Sequence, residues 1–335
     1  MYNSRLPILK VAWLSEPLYI NPILLKIYNH FSEFKKLENA VVTIGTFDGV
    51  HFGHQKILKR LCELAKATGG ESVILTFFPH PRLIIDPENQ QLKMINTVEE
   101  KAKILANIGV DHLIITPFTR DFSNLTPAEY IKQILIDTIG VKNIIVGYDH
   151  RFGKDRQGGM SDLQEFAGIY GFEIEEIPEQ DINDVAVSST KVRTALLEGD
   201  VALAASFLGY NFSIHGRVIK GDKIGRTIGF PTANIFVEET YKLIPSDGIY
   251  AVTVELNAVV YKGMAYIGQR PTINGMTRNI EVNIFDFSQE IYGQLITMNF
   301  LKFLRHDVKF TGLEALKDQL HDDKLATLKF FDEAL

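Results

Sequence analysis

The sequence predicts an α/β doubly wound parallel-sheet domain followed by a small antiparallel six-stranded β-barrel with a C-terminal helix. Three observations predict it. From Ala40 to about Gly209, short apolar β-branched runs alternate with stretches of helical period, as in a parallel sheet covered on both faces. After Gly209, strand-like runs follow one another with only turns between them, as in a closed antiparallel sheet. The 335 residues give length for about two domains.

In the first half the expected strands are residues 40–47, 72–78, 112–118 and 143–149, with 172–178 a weaker fifth. Helices are expected near 54–67, 98–108, 127–139 and 161–170. Capping boxes predict three of their starts: Thr97 with Glu100, Thr126 with Glu129 (Pro127 at the first helical position), and Ser161 with Gln164. In the second half the expected strands are 212–221, 231–237, 248–256, 258–268, 278–287 and 293–304. A final helix opens with Thr311 and Glu314 and places Leu313, Leu316 and Leu320 on one face. The expected division is a 1–25 extension of no assigned role, a 26–209 domain and a 210–335 domain.

A formal net charge of −6 gives no overall attraction for nucleic acid or an anionic membrane, so the expected partners are small molecules. Any phosphate site must be local. Cys62 is the single cysteine, which excludes an internal disulfide and suits a reducing, cytoplasmic setting. Beside Leu61 in a helix, it reads as buried filler. Glu16 and the prolines at 7, 17 and 22 interrupt the N-terminal apolar residues, so no signal peptide is expected.

The stretch GTFDGVHFGHQ, residues 45–55, follows the first strand and opens the first helix. His51 and His54 sit at that turn, where free backbone N–H groups favour an anion. Gly45, Gly49 and Gly53 would let a ligand approach the main chain. Turn glycines with solvated imidazoles would explain the same residues. Metal binding is a poor rival, because no nearby cysteine or third histidine completes a ligand set. A second stretch, VSSTKVRTALLEGD, places Ser188, Ser189 and Thr190 before a helix carrying Arg193. Helix capping explains one hydroxyl; the others and Arg193 are placed to bind a triphosphate. Together the two stretches suit nucleotidyl transfer, which needs donors on the charge that builds at phosphorus, with Mg²⁺ sharing the load.

The second half holds GRVIKGDKIGRTIGFPTANI, residues 216–235. Gly221, Gly225 and Gly229 are spaced four apart with Lys223 and Arg226 between them, which is neither a P-loop nor a dinucleotide fingerprint. Thr232 and Asn234 lie two apart on an expected strand and so face one side. A hydroxyl and an amide oxygen there suit Mg²⁺ with nucleotide phosphates. Ile280, Val282 and Ile284 form one face of a later strand, which leaves Glu281 and Asn283 on the other. Glu281 is either a solvated outer-face residue or a general base for a hydroxyl.

GTFDGVHFGHQ and SSTKVR, with TFFPHPR at 76–82 and VGYDHRFGKDRQGG at 146–159, resemble the adenylyltransferase module of the bacterial bifunctional riboflavin kinase/FAD synthetase family. GFPTANI, YIGQRPTING and EVNIFDF resemble that family's riboflavin kinase module, and the similarity runs from about residue 26 to 330. The resemblance implies an enzyme that makes FMN from riboflavin and ATP, then FAD from FMN and ATP, with Mg²⁺. It implies that His51, His54 and Arg193 act on the ATP phosphates, with Gly45, Phe47, Gly53, Ser189 and Thr190 around the nucleotide. Phe78, His80, Arg82, Asp149 and Phe152 would face FMN. In the kinase module Thr232 and Asn234 would hold Mg²⁺-ATP, with Gly221, Lys223 and Gly225 in the nucleotide loop. Glu281 would deprotonate the ribityl hydroxyl, and Arg305 would lie near the flavin. His150 stands where the family usually has an aromatic residue. Other nucleotidyltransferases with a similar first motif do not account for the barrel. A flavin-binding regulatory relative with one inactive site is the remaining alternative.

Overall fold

The computed structural model describes residues 25–86, 92–148, 150–178, 187–221, 224–272 and 275–333. Residues 1–24 of the N-terminal extension, Asp149 and Lys223 therefore lie outside the described residues.

The first half is a six-stranded parallel sheet: β1 (Lys26–Tyr28), β2 (Ala40–Ile44), β3 (Glu71–Phe77), β4 (His112–Thr116), β5 (Val141–Gly147) and β6 (Glu173–Ile177). Its spatial order is β1-β4-β3-β2-β5-β6, so the order reverses beside β2. β2 and β4 are buried at every residue, which is why they read as continuous apolar runs rather than alternations. β6 is the expected weaker strand and forms one edge. β1 forms the other edge, with Ile27 opposite Leu113. Three partly exposed residues carry no periodic signal, and the sequence reading missed it.

Helix α1 (Phe52–Thr68) covers one face through Ile57, Leu58, Leu61 and Ala65 and ends on Gly69 in the left-handed region (φ 65°). Helix α2 (Val98–Ile108) packs beside it. Cys62 packs against this core as filler, and burial pushes its thiol up to about 11. The Thr97–Glu100 and Thr126–Glu129 boxes form as expected. The Ser161–Gln164 box does not. Phe152 and Gly158 exchange backbone hydrogen bonds (3.1 and 2.9 Å), and this tight hairpin delivers Gly159 as the cap of helix α3 (Met160–Tyr170). Asp162 then accepts from the Gly159 N–H at 2.9 Å, and Ser161 is already helical.

Two helices, α4 (Ser189–Leu197) and α5 (Val201–Leu208), lead to the barrel. Its strands are β7 (Ser213–Ile219), β8 (Ala233–Phe236), β9 (Gly248–Leu256), β10 (Val259–Thr272), β11 (Gly275–Ile284) and β12 (Leu295–Arg305). All six expected strands are present, paired antiparallel in the closed order β10-β11-β8-β7-β12-β9. Helix α6 (Leu313–Glu333) begins after the expected Thr311 box: Leu316 N–H donates to Gly312 O at 3.2 Å. Leu313 is 57% exposed, and the buried face instead runs through Asp323, Thr327 and Phe331.

The change at Gly209 is one of secondary structure, not of packing. Val192, Ala195 and Leu196 of α4 and Val201, Ala204 and Leu208 of α5 join one apolar core with Ile214, Val252, Val254, Met298 and Phe300 of the barrel. Met94, between β3 and α2, also exchanges backbone hydrogen bonds with the barrel half: its N–H donates to Tyr241 O (2.7 Å) and its carbonyl accepts from Leu243 N–H (2.8 Å). Lys242 between them is buried, and its Nζ donates to Ile95 O (2.7 Å) and to a Glu100 carboxylate oxygen (2.5 Å).

Candidate active sites

The first site lies where β2 ends and α1 begins, at the carboxyl edge of the sheet beside its reversal point. Phe47 (φ 45°), Gly49 (φ 82°) and Val50 (φ 35°) all take positive φ, a costly backbone for the two non-glycine residues. The surroundings hold it. Tyr210 OH donates to Gly49 O (2.6 Å), Gln55 Nε2 donates to Val50 O (2.9 Å), and Lys101 Nζ donates to Thr46 O (2.6 Å). Gly45 has Phe47 over it: a Cβ there would meet the ring at 3.0 Å. Gly53, in the first turn of α1, is buried.

His51 caps α1 without using its side chain. Its ring stacks on His54 with centroids 3.7 Å apart at 19°, and Phe47 meets His54 edge-on at 5.2 Å. The Nδ1 atoms of both imidazoles are buried without a hydrogen-bond partner among the described residues. Burial, with the Arg193 charge behind it, pushes His51 down to about 4. Burial, then the neighbouring His51 and Lys101, holds His54 well below its usual 6.5. Both rings are therefore neutral at pH 7.

Arg193 reaches this pair from α4. Its Nη2 donates to Asp48 Oδ2 at 2.5 Å and its Nε to Lys93 O at 3.0 Å. Ser188 is the N-cap of α4, while Ser189 Oγ donates to Asp48 O at 2.9 Å, fastening the helix to the glycine loop. Thr190 is exposed in the first turn. His80 caps a five-residue helix, its Nδ1 accepting from Arg82 N–H at 3.1 Å. Burial, followed by Arg193, Arg82 and Lys101, pushes His80 down to about 4, so it lies in the field of the same cations. Arg82 is exposed.

Phe78 is 36% exposed and leans on Tyr241 of the barrel half (centroids 4.9 Å). Phe152 is 7% exposed and packed on Tyr130 (5.2 Å), inside the core of the sheet half, with His150 stacked against it at 5.7 Å. Two residues were missed by the sequence reading. Asp48 lies inside the first motif, but a carboxylate is not an obvious part of an anion site. Lys101 is the fourth residue of α2 and carries no local signal; burial draws its ammonium down to about 8.

The second site lies on the outside of the barrel, where β8 and β11 pair with Glu281 opposite Asn234. Ile280, Val282 and Ile284 fill the barrel interior, and Glu281 and Asn283 take the other face as expected. Thr232 Oγ1 donates to Glu281 Oε2 (2.8 Å) and Asn279 Nδ2 to Oε1 (2.6 Å), so both carboxylate oxygens are held in place. A Cβ on Gly221 would collide with the buried amide of Asn234. Gly225 lies equally close to Phe230 O and accepts the Phe230 N–H at 2.8 Å, closing the glycine loop. Asn283 Nδ2 donates to Pro231 O (2.6 Å) and pins the strand entry.

Arg305 is taken up by the last helix: Nε and Nη2 bind the two Asp323 oxygens at 2.7 Å each. A pocket of about 320 Å³ lies between Phe230 and Lys317, Asp318, His321 and Asp322 of α6. Among the described residues no group of three or more His, Cys, Asp or Glu side chains stands ready to hold a metal. Thr232 and Asn234 nonetheless fit a hard cation. The Thr232 proton is committed to Glu281, which leaves its oxygen able to accept, and the Asn234 amide adds a second neutral oxygen.

Residues 33–191 match the FAD synthetase family model, and residues 208–331 match the riboflavin kinase model. The bifunctional riboflavin kinase/FMN adenylyltransferase of Listeria monocytogenes is 40% identical over 294 residues, covering 88% of this chain and 93% of that protein. The chain belongs to the bifunctional riboflavin kinase/FMN adenylyltransferase family. The Escherichia coli K12 protein of the same name is 38% identical over 295 residues, 88% of this chain and 93% of its own length. A crystal structure described as a macrolide-efflux protein from Streptococcus pneumoniae superposes with a TM-score of 0.81 at 32% identity, covering 90% of this chain and 97% of that one. Among the described residues of this family member, no helix is long and apolar enough to cross a membrane.

Proposed function

We propose that this chain phosphorylates riboflavin to FMN on the barrel and converts FMN to FAD beside His51 and His54, using ATP in both steps. Family membership over both halves supports the two activities. The observation that carries the adenylyl-transfer site is the stacked, neutral imidazole pair with unpartnered ring nitrogens at a helix start, facing an anchored arginine.

In adenylyl transfer a phosphate oxygen of FMN attacks the α-phosphorus of ATP, and the bond to the β-phosphate breaks as pyrophosphate leaves. No covalent nucleophile is required. A neutral imidazole keeps one N–H, so His51 and His54 donate to phosphate oxygens where charge builds. Arg193 supplies the cation, with Ser189, Thr190 and the loop at Gly45, Phe47 and Gly53 around the triphosphate. Phe78, His80 and Arg82 border the flavin. Phe152, deep in the core, acts by shaping the loop that follows β5.

On the barrel, Glu281 accepts the proton of the ribityl hydroxyl as that oxygen attacks the γ-phosphorus and ADP leaves. Thr232 and Asn234 would hold Mg²⁺, which shields phosphate charge when bound. Gly221 lets the nucleotide loop lie close to Asn234, and Gly225 lets it close on Phe230. The pocket beside Phe230 and α6 suits the flavin ring, and Arg305 orders α6 through Asp323. The functional division falls at 209/210, and the single thiol and ATP-dependent chemistry suit the cytoplasm.

The test is to incubate the purified protein with riboflavin, ATP and Mg²⁺ and to separate the flavins. FMN followed by FAD is expected. FMN alone would leave only the kinase, and bound but unchanged riboflavin would favour a regulatory role.

A further inference from the structure

Phe78, read above as bordering FMN, is supported by a residue of the other half. Tyr241 lies between β8 and β9 and meets the Phe78 ring at 4.9 Å with a 59° tilt. Four attachments fix Tyr241 there. Its carbonyl accepts the Met94 N–H (2.7 Å), and its hydroxyl accepts the N–H of Val98, the first residue of α2 (3.4 Å). On its N-terminal side, Thr240 O accepts from Lys93 Nζ (2.7 Å). On its C-terminal side, Lys242 is locked to Glu100 and Ile95. Lys93 joins the two chemistries, because its carbonyl accepts from Arg193 Nε at 3.0 Å.

A half-exposed phenylalanine is poorly determined by its own short loop. Held by a second ring at this distance and tilt, it keeps one orientation. A flat flavin ring binds best to an aromatic surface already in place, since ordering a mobile side chain on binding costs affinity.

We propose that Tyr241, carried by the barrel half, is a positioning residue for FMN in the adenylyl-transfer reaction of the sheet half, acting through Phe78. The proposal rests on the reading that Phe78 borders FMN. Among the described residues the hydrogen bonds and ring contact of Tyr241 go to Met94, Val98 and Phe78 and not to Thr232, Asn234 or Glu281, so the kinase reaction does not depend on its ring.

The test uses the full chain with Tyr241→Ala, Tyr241→Leu, Tyr241→Phe, Phe78→Ala and the Tyr241→Leu/Phe78→Ala double variant. Initial rates of FAD formation are measured with FMN and ATP varied separately, and riboflavin phosphorylation serves as the folding control. Loss of the aromatic pair should raise the KM for FMN about threefold to tenfold in Tyr241→Leu and Phe78→Ala. The KM for ATP and the kinase rate should hold. Tyr241→Phe should restore the wild-type KM, because the ring and not the hydroxyl is what Phe78 meets. The double variant should be no worse than Phe78→Ala alone. If Tyr241→Ala fails to fold, Tyr241→Leu decides, since it keeps apolar bulk without a ring. A raised KM in Phe78→Ala with none in Tyr241→Leu overturns the proposal and leaves Phe78 at the flavin. An unchanged KM in Phe78→Ala overturns the reading of Phe78 itself. Multiplying effects in the double variant would show that the two rings act separately, which also overturns it.

Discussion

Arg193 and Asp48, 145 residues apart in the chain, are bonded through Nη2 and Oδ2 at 2.5 Å. The other Asp48 oxygen accepts the Ile95 N–H at 3.0 Å, and the Asp48 carbonyl accepts from Ser189. One residue of the glycine loop therefore ties together the loop, the segment before α2 and the start of α4.

Asp48→Asn should cut FAD formation while leaving riboflavin phosphorylation intact. The pair is nearly buried, and removing one partner of a buried pair leaves an uncompensated charge worth about 3–5 kcal/mol. Separate assays of the two reactions, with a melting curve, decide it. Unchanged FAD formation in a folded variant would mean that Arg193 needs no such anchor.

His54→Ala, and less severely His51→Ala, should abolish FAD formation and spare FMN formation. Loss of one preorganised donor to developing phosphate charge costs roughly 10²–10³ in rate. FAD synthesis from FMN within a few-fold of wild type would reduce both imidazoles to turn residues.

The pH dependence should follow Lys101 rather than the histidines. Burial pushes His51 and His80 down to about 4 and holds His54 well below its usual 6.5, so these histidines should give FAD formation no step near 6.5. Lys101 titrates near 8, so the rate should fall as pH rises through that value. Stability should move the other way. The folded value lies below the ordinary 10.5, so the folded chain binds fewer protons than the unfolded chain between about 8 and 10.5, and Lys101's contribution to stability rises across that window. Rates against pH for wild type and Lys101→Arg check this. A limb near 8 that survives the arginine belongs to another group.

Glu281→Gln should abolish FMN formation and leave FAD formation from supplied FMN untouched. A general base is worth about 10²–10⁴ in rate, and the amide keeps the shape that Thr232 and Asn279 hold. Asn283→Ala should do less harm, since Asn283 acts by pinning Pro231 O. A wild-type kinase rate in Glu281→Gln would make Glu281 an ordinary strand carboxylate.

Much of the fold was legible because period and burial agree. β2 through β5 each carry a buried apolar run, and the barrel strands alternate around Ile280, Val282 and Ile284. Signals failed where a neighbour far along the chain decides the outcome. β1 is set by β4, the start of α3 by the Phe152–Gly158 hairpin, and the buried face of α6 by where the barrel meets it. The sites divide in the same way. His51, His54, Thr232 and Glu281 lie in local motifs. Lys101 reaches Thr46 and Tyr241 reaches Phe78 only through tertiary contact, and nothing in their own flanking residues marks them.

The shared core of α4, α5 and the barrel bears on how such chains are inherited. α5 packs on β12, and the helix that carries Arg193 fills the same apolar core as Val254 and Phe300. A crossover between two family members at residue 209 would set one parent's α4 on a barrel shaped by the other. Core residues on the two sides of that point must therefore drift together, and a substitution at Phe300 can be selected through FAD formation although it sits in the kinase half.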